Sequence, residues 1–173
     1  ACIIAAHDAV TGEELWRRRL IPGPGEPGAE TWGGVPFEDR RHVGSWKVPS
    51  LDPALNLVYV GTSVTSPAPK FRLGGVDNKH LSHNSTLALD ADTGEIVWYF
   101  QHIPNDEWDL DHPFARMIVE TVVAPRADAV QWMNTSITPG EPRKIVTGIP
   151  GKTGIVWALD AATGEFPVAE IHR

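Results

Sequence analysis

Cysteine is almost missing from this chain. Cys2 is the single one in 173 residues, so no disulfide can close within it. Long apolar runs are missing too, because no 18 consecutive apolar residues occur, and a helical membrane span is excluded. Positive charge is scarce and scattered: 15 Lys and Arg stand against 22 Asp and Glu, a formal charge of −7. Apart from Arg17-Arg18-Arg19 and Arg40-Arg41 nothing gathers into a basic stripe, so nucleic acid is not an expected partner. A start at Ala1 without Met or signal peptide, and an end just past a repeat, read as an internal fragment whose compartment is not written in it.

Turn formers and indoles are plentiful, with 16 Gly, 15 Pro and 7 Trp. They fall into a repeated pattern. Ala6-His7-Asp8-Ala9-Val10-Thr11-Gly12-Glu13-Glu14-Leu15-Trp16 returns as Ala88 to Trp98, and again as Ala158 to Glu165. Each copy has an apolar run, then Asp-x-x-Thr-Gly, in which the Asp carboxylate can bond backbone groups of its own turn and the Gly can take positive φ. A strand pattern resumes after the Gly, so the unit reads as a β-hairpin with a large aromatic at a fixed distance past its turn. The third copy has Phe166 and Val168 but no Trp at that place.

Asp8, Asp90 and Asp160 stand 82 and 70 residues apart, more than the roughly 40 to 50 residues of a minimal propeller blade. Each interval therefore holds one blade with long loops. Strands are expected at Ser45–Val48, Leu57–Gly61, Thr86–Asp90 and Ile96–Gln101 for one four-stranded blade. Met117–Val123, Lys144–Val146, Ile155–Asp160 and a last strand near Phe166 make most of another, and Ile3 to Arg18 closes an earlier one. The expected fold is an all-β, β-propeller segment of roughly two and a half blades, whereas a closed ring needs about 4 to 8. The blade end spans 1–20 and the two blades 43–101 and 115–173. The stretch Ser66 to Asn84 is too long for a mere connector.

The densest polar cluster runs Asn105-Asp106-Glu107-Trp108-Asp109-Leu110-Asp111-His112-Pro113. If Trp108 to Asp111 is extended, Asp109 and Asp111 project to one face. Such a pair repels unless a cation lies between the carboxylates or one holds a proton, and hard oxygen donors suit Ca²⁺ rather than zinc. The plainer alternative is a solvated acidic loop.

Taken in order, the repeat, Trp32-Gly33-Gly34, Trp46 with Asp52-Pro53-Ala54-Leu55-Asn56-Leu57-Val58-Tyr59-Val60-Gly61, and the block Gln101 to Asp111 resemble the quinoprotein alcohol dehydrogenases. The resemblance covers nearly the whole chain. It implies an eight-bladed propeller holding pyrroloquinoline quinone and a metal near its axis, oxidation of an alcohol or polyol, and a periplasmic location. It also implies an electron acceptor such as a cytochrome c or a membrane quinone. Trp46 falls where that family has the indole floor under the quinone ring; a packed core tryptophan is the alternative. Asp109 matches the catalytic base, a carboxylate that takes the alcohol proton while hydride passes to the quinone.

Asp111 matches an additional aspartate of lanthanide-using members, so Asp109 and Asp111 are the candidate metal ligands, for Ca²⁺ or a lanthanide. Lys152, in Pro150-Gly151-Lys152-Thr153-Gly154, matches the cation that reaches the quinone oxygens; a surface loop lysine is the alternative. One departure stands out. Where the family has a metal-binding Asn after Gly-x-Gly, this chain reads Gly61-Thr62-Ser63-Val64-Thr65-Ser66, and Val64 cannot bind a metal. Thr65, Ser66, Asn78, His83 or Asn84 are the nearby donors that could replace it. A non-catalytic propeller scaffold of the outer-membrane assembly type would share the repeat but has no reason to keep Trp46 with Trp108-Asp109-Leu110-Asp111.

Overall fold

The computed structural model of the chain describes residues 3–65, 79–124, 126, 128, 130, 132–135, 137–148 and 151–171. Cys2, Ser66 and Asn78 lie outside them. The described residues form three antiparallel sheets and two short 3-10 turns, Ala29–Trp32 and Phe37–Asp39. The first sheet is the hairpin β1 (Ile3–His7) and β2 (Glu14–Arg19). The second has four strands in sequence order: β3 (Ser50–Asp52), β4 (Leu57–Gly61), β5 (Ser85–Asp90) and β6 (Ile96–Gln101). The third comprises β7 (Met117–Val122), β8 (Trp132–Met133), β9 (Pro142–Gly148), β10 (Ile155–Asp160) and β11 (Val168–Ile171), ordered β7-β9-β10-β11-β8. No helix among the described residues is long and apolar enough to cross a membrane.

The second sheet is buried on both faces, and its alternation shows how. Val60, Leu87 and Leu89 join Leu20, Ile21, Trp32 and Val43 in one core, with Trp16 and Val58 packed on it. Leu57, Tyr59 and Ala88 turn to the other side, where they meet Trp98, Val146, Leu159 and Ala161. Odd and even residues of each strand thus serve different neighbours, as the two-residue period of a strand requires. Every fully buried Leu or Val in these layers is worth about 2 kcal/mol.

The three repeat corners are the same structure. Asp8 Oδ1 accepts from the Val10 and Thr11 amides and the Thr11 hydroxyl at 2.9, 2.7 and 3.0 Å. Asp90 Oδ1 does so from Asp92 and Thr93 at 3.0, 2.9 and 3.0 Å, and Asp160 Oδ1 from Ala162 and Thr163 at 3.0, 3.0 and 3.1 Å. These bonds hold the Asp8 and Asp90 carboxyls below their usual pKa, led by the Thr11 amide at Asp8 and the Thr93 hydroxyl at Asp90.

The glycines and tryptophans of the motif belong together across sheets. A Cβ on Gly94 would sit 2.3 Å from Trp16 Cε3, and one on Gly164 would sit 2.4 Å from Trp98 Cε3. The tryptophan of one copy therefore lies on the glycine of the next. Its indole N–H donates to the same corner, Trp16 Nε1 to Ala91 O at 2.8 Å and Trp98 Nε1 to Ala161 O at 3.1 Å. The third copy has no such tryptophan, and Phe166 instead stacks on Trp132 at 5.3 Å.

One strand expectation needs correction, and one strand is added. Ser45–Val48 is irregular, and the first strand of that sheet is Ser50–Asp52, paired with Leu57–Tyr59. Pro49 has no N–H to give a ladder and restricts the residue before it, so pairing begins only after it. The last strand, expected near Phe166, is Val168–Ile171; its far edge is paired by β8, a strand the sequence did not suggest, making the third sheet five-stranded.

Candidate functional site

Segment 102–116 leaves β6 and reaches β7 without regular secondary structure. Its amide at His102 donates to Asn84 O at 2.8 Å and that at His112 to Thr62 O at 3.2 Å, so the irregular backbone is tied to the ends of β4 and β5. Asp109 has φ 61. The expectation of an extended Trp108–Asp111, with carboxylates aligned by strand alternation, is therefore corrected: a left-handed turn at Asp109 breaks the alternation.

The two carboxylates converge nonetheless, because a lysine draws them together. Lys152 Nζ lies 3.2 Å from Asp109 Oδ2 and 3.1 Å from Asp111 Oδ2, and also donates to Asp109 O at 2.6 Å. Partial burial works against the ammonium, yet its bonds to Asp111 and Asp109 outweigh this and hold its pKa above the usual value. The approach depends on the residue before it. A Cβ on Gly151 would stand 2.1 Å from Asp111 O and 2.8 Å from Leu110 O, so only glycine lets the two backbones meet. The Lys152 amide then donates to Leu110 O at 3.2 Å.

Trp46 connects to this cluster through β4's continuation. Its ring lies over Gly44, where a Cβ would be 3.6 Å from Trp46 Cε3 and 3.5 Å from Ser63 Oγ. Gly44 and Ser63 exchange bonds, Gly44 N to Ser63 Oγ at 2.9 Å and Ser63 N to Gly44 O at 2.8 Å. The next amide, Val64 N, donates to Asp111 Oδ1 at 3.1 Å. One short segment thus carries the indole on one side and the carboxylate on the other. Trp46 is 54% exposed and Trp108 83%, whereas Trp32 is fully buried and donates to Leu81 O at 2.6 Å. Trp32 is core, and Trp46 presents an open indole surface.

These residues fit a flat anionic quinone: an exposed indole to stack on and a lysine to meet its oxygens. They fit a metal ion only in part. Among the described residues no three His, Cys, Asp or Glu side chains are grouped to hold one, and hard ions take about 6 to 8 oxygens. Asp111 already accepts from Val64 N and Lys152, and the buried Val64 side chain has no atom that can ligate a metal. Of the replacement donors, Thr65 gives its hydroxyl to Arg41 O at 2.5 Å, Asn84 gives its amide to Asp106 Oδ2 at 2.7 Å, and His83 is buried beside His80 with ring centroids 5.9 Å apart.

Beneath the loop lies a group that the motifs did not flag. His102 and His112 stack at 4.7 Å with rings 6° from parallel. Burial, then the charge of Arg116, lowers His112 to a pKa of about 4. Burial, then His112 and Arg116, holds His102 well below its ordinary range, and burial lowers Arg116 to about 10. Arg116 Nε donates to Thr86 Oγ1 at 2.9 Å and Nη2 to His112 O at 2.9 Å, bracing the loop from below.

An all-β segment of stacked antiparallel sheets, with a lysine and two aspartates gathered at one end and an exposed indole linked to them through Gly44, Ser63 and Val64, belongs to a recognisable class. A family model for the β-propeller domain of PQQ glucose/ethanol/alcohol dehydrogenases matches residues 1–173, and the chain belongs to that family. It is similar to the quinohemoprotein alcohol dehydrogenase ADH-IIG of Pseudomonas putida, 34% identical over 178 residues, 94% of this chain and 22% of the relative. The crystal structure of quinohemoprotein alcohol dehydrogenase from Comamonas testosteroni superposes with a TM-score of 0.81 at 31% identity, over 99% of this chain and 25% of the other. A europium-containing methanol dehydrogenase shares the fold, with a TM-score of 0.68 at 20% identity, over 95% of this chain and 28% of that one. The chain thus spans under a third of the length of each of these.

Proposed function

We propose that this chain forms the cofactor-facing part of a pyrroloquinoline quinone-dependent dehydrogenase that oxidises an alcohol or polyol, with 1–173 as a partial propeller domain. The observation that carries the proposal is the Asp109–Lys152–Asp111 cluster, joined through Ser63 and Val64 to the exposed ring of Trp46. A propeller used only as a scaffold has no need of an exposed indole linked through one short segment to two carboxylates and their lysine. The names of the relatives support the same reading.

When bound, the quinone supplies a two-electron acceptor for the hydride of the alcohol carbon. Trp46 would hold it by offering a stacking floor. Lys152 would supply the positive charge that offsets negative charge on its oxygens. Asp109 Oδ2 is held by Lys152, leaving Oδ1 to take the hydroxyl proton of the substrate. Asp109 and Asp111 are the two carboxylates this chain offers to Ca²⁺ or a lanthanide, with further oxygens coming from elsewhere. A cytochrome c or membrane quinone is the proposed electron acceptor and the periplasm the proposed location.

The test is titration of the quinone-free full-length protein with pyrroloquinoline quinone, followed by tryptophan quenching. Saturable binding that weakens in Trp46→Ala is the expected result. No binding at all would defeat the enzymatic reading, and equal binding by the variant would remove Trp46 from the floor.

A further inference from the structure

We propose that Asp106, an acidic side chain that the reaction itself does not use, is the positioning residue for Asp109. The inference rests on the reading of Asp109 as the base. Asp106 is 2% exposed, although it lies in the most acidic stretch of the chain. Its two oxygens are spent on backbone at either side of Asp109. Oδ1 accepts from the Trp108 amide at 2.8 Å and Oδ2 from the Leu110 amide at 2.7 Å. Asp109 sits between those two amides in the left-handed region, at φ 61, a conformation that a non-glycine residue keeps only where its surroundings impose it.

The clamp is itself fixed from behind. Asp106 Oδ2 also accepts from Asn84 Nδ2 at 2.7 Å. Asn84 is fully buried, its amide donates to Ser63 O at 2.9 Å, and its carbonyl accepts from His102 N at 2.8 Å. Asn84 thus belongs to the ends of β4 and β6 at once. A rigid path runs from the sheet through Asn84 and Asp106 to the backbone that aims Asp109 and places Asp111 two residues on. The same Ser63 connects to Gly44 beneath Trp46, so the base and the indole floor share one anchor.

Carboxylate chemistry is required at 106 because three donors converge on its two oxygens. Asp106→Asn replaces one acceptor with an NH₂ group that must face an N–H donor, so one bond of the clamp becomes a repulsion. A displacement of Asp109 by about 1 Å is enough to reduce turnover about a hundredfold.

The experiment compares full-length wild type, Asp106→Asn, Asn84→Gly and Asp109→Asn, each titrated with pyrroloquinoline quinone and assayed with ethanol and an artificial electron acceptor. Asn84→Gly removes only the anchor, and glycine accepts the φ of 45 found there. For Asp106→Asn the expected result is kcat per bound quinone lowered about a hundredfold, with quinone affinity and KM within about threefold of wild type. Asn84→Gly should show the same split with a smaller loss, about tenfold. A residue that merely supports the fold would instead lower the amount of loaded protein and leave kcat per bound quinone unchanged, and that outcome overturns the proposal. If Asp106→Asn does not fold, Asn84→Gly decides on the same criterion. Activity retained by Asp109→Asn defeats the underlying reading and the proposal with it; activity lost there but full in Asp106→Asn overturns the positioning role alone.

Discussion

The repeat corners and the loop 102–116 are both built around buried or half-buried aspartate hydrogen bonds, yet they behave as opposites. At the corners each Asp serves its own turn, within three residues, and the second and third turns each receive a tryptophan from the preceding copy. In the loop, Asp106 also bonds nearby amides, but its neighbours Asp109, exposed, and Asp111, buried, both meet a lysine more than forty positions away. The corners have their polar groups satisfied locally and can be copied. The loop holds left-handed residues, a stacked histidine pair and a buried arginine, features that persist only where the surroundings over-determine them. Strain and unmatched charge gather where chemistry is proposed; regularity gathers where blades dock.

If that division is real, damage to one region should spare the other. Trp98→Ala removes the indole from Gly164 and the bond to Ala161 O, and should lower stability by about 3 to 5 kcal/mol in urea unfolding. Turnover per bound quinone should stay at the wild-type level, and a matching loss of turnover would break the comparison. Asp111→Ala should do the reverse. The melting temperature should fall by only a few degrees, as the buried Val64 amide loses its acceptor, while activity supported by La³⁺ should fall about tenfold further than activity supported by Ca²⁺, since the higher charge relies more on carboxylates. Equal loss with both ions would remove the lanthanide preference from Asp111.

Two smaller effects sharpen the contrast. Asp90→Ala takes three accepted bonds from one corner and should lower the melting temperature by a few degrees, with no change in quinone affinity. His102 stays neutral in the fold because burial, His112 and Arg116 all oppose its charging. The unfolded chain takes up a proton there near the ordinary value of 6.5 while the folded chain does not, so stability held above pH 6.5 drains away as pH falls. His102→Gln should flatten that acid limb below pH 6.5 in thermal melts. An unchanged limb would place the acid sensitivity elsewhere.

Much of the fold was legible because its signals are local. The strands at Leu57–Gly61, Ile96–Gln101 and Ile155–Asp160 lie where the apolar runs and the Asp-x-x-Thr-Gly turns put them. The fixed distance from each turn to its tryptophan showed only as a regularity, since its cause, Trp16 lying on Gly94 and Trp98 on Gly164, is packing between sheets. Ser45–Val48 misled because apolar and aromatic residues there serve a surface indole rather than a ladder. In the loop, Asp109, Asp111 and Lys152 carried a motif, but their meeting point depends on Gly151 clearing space against Asp111 O. Asp106 left no distinct trace, being one acidic residue among several. Its role is visible only from the amides it faces.

The most direct measurement is single-turnover reduction of bound quinone by ethanol in full-length Asp109→Asn, followed by absorbance, with quinone occupancy matched to wild type. The amide cannot accept the hydroxyl proton, so the expected result is full occupancy with reduction slowed by about 10² to 10⁴-fold. Reduction at the wild-type rate would contradict the account.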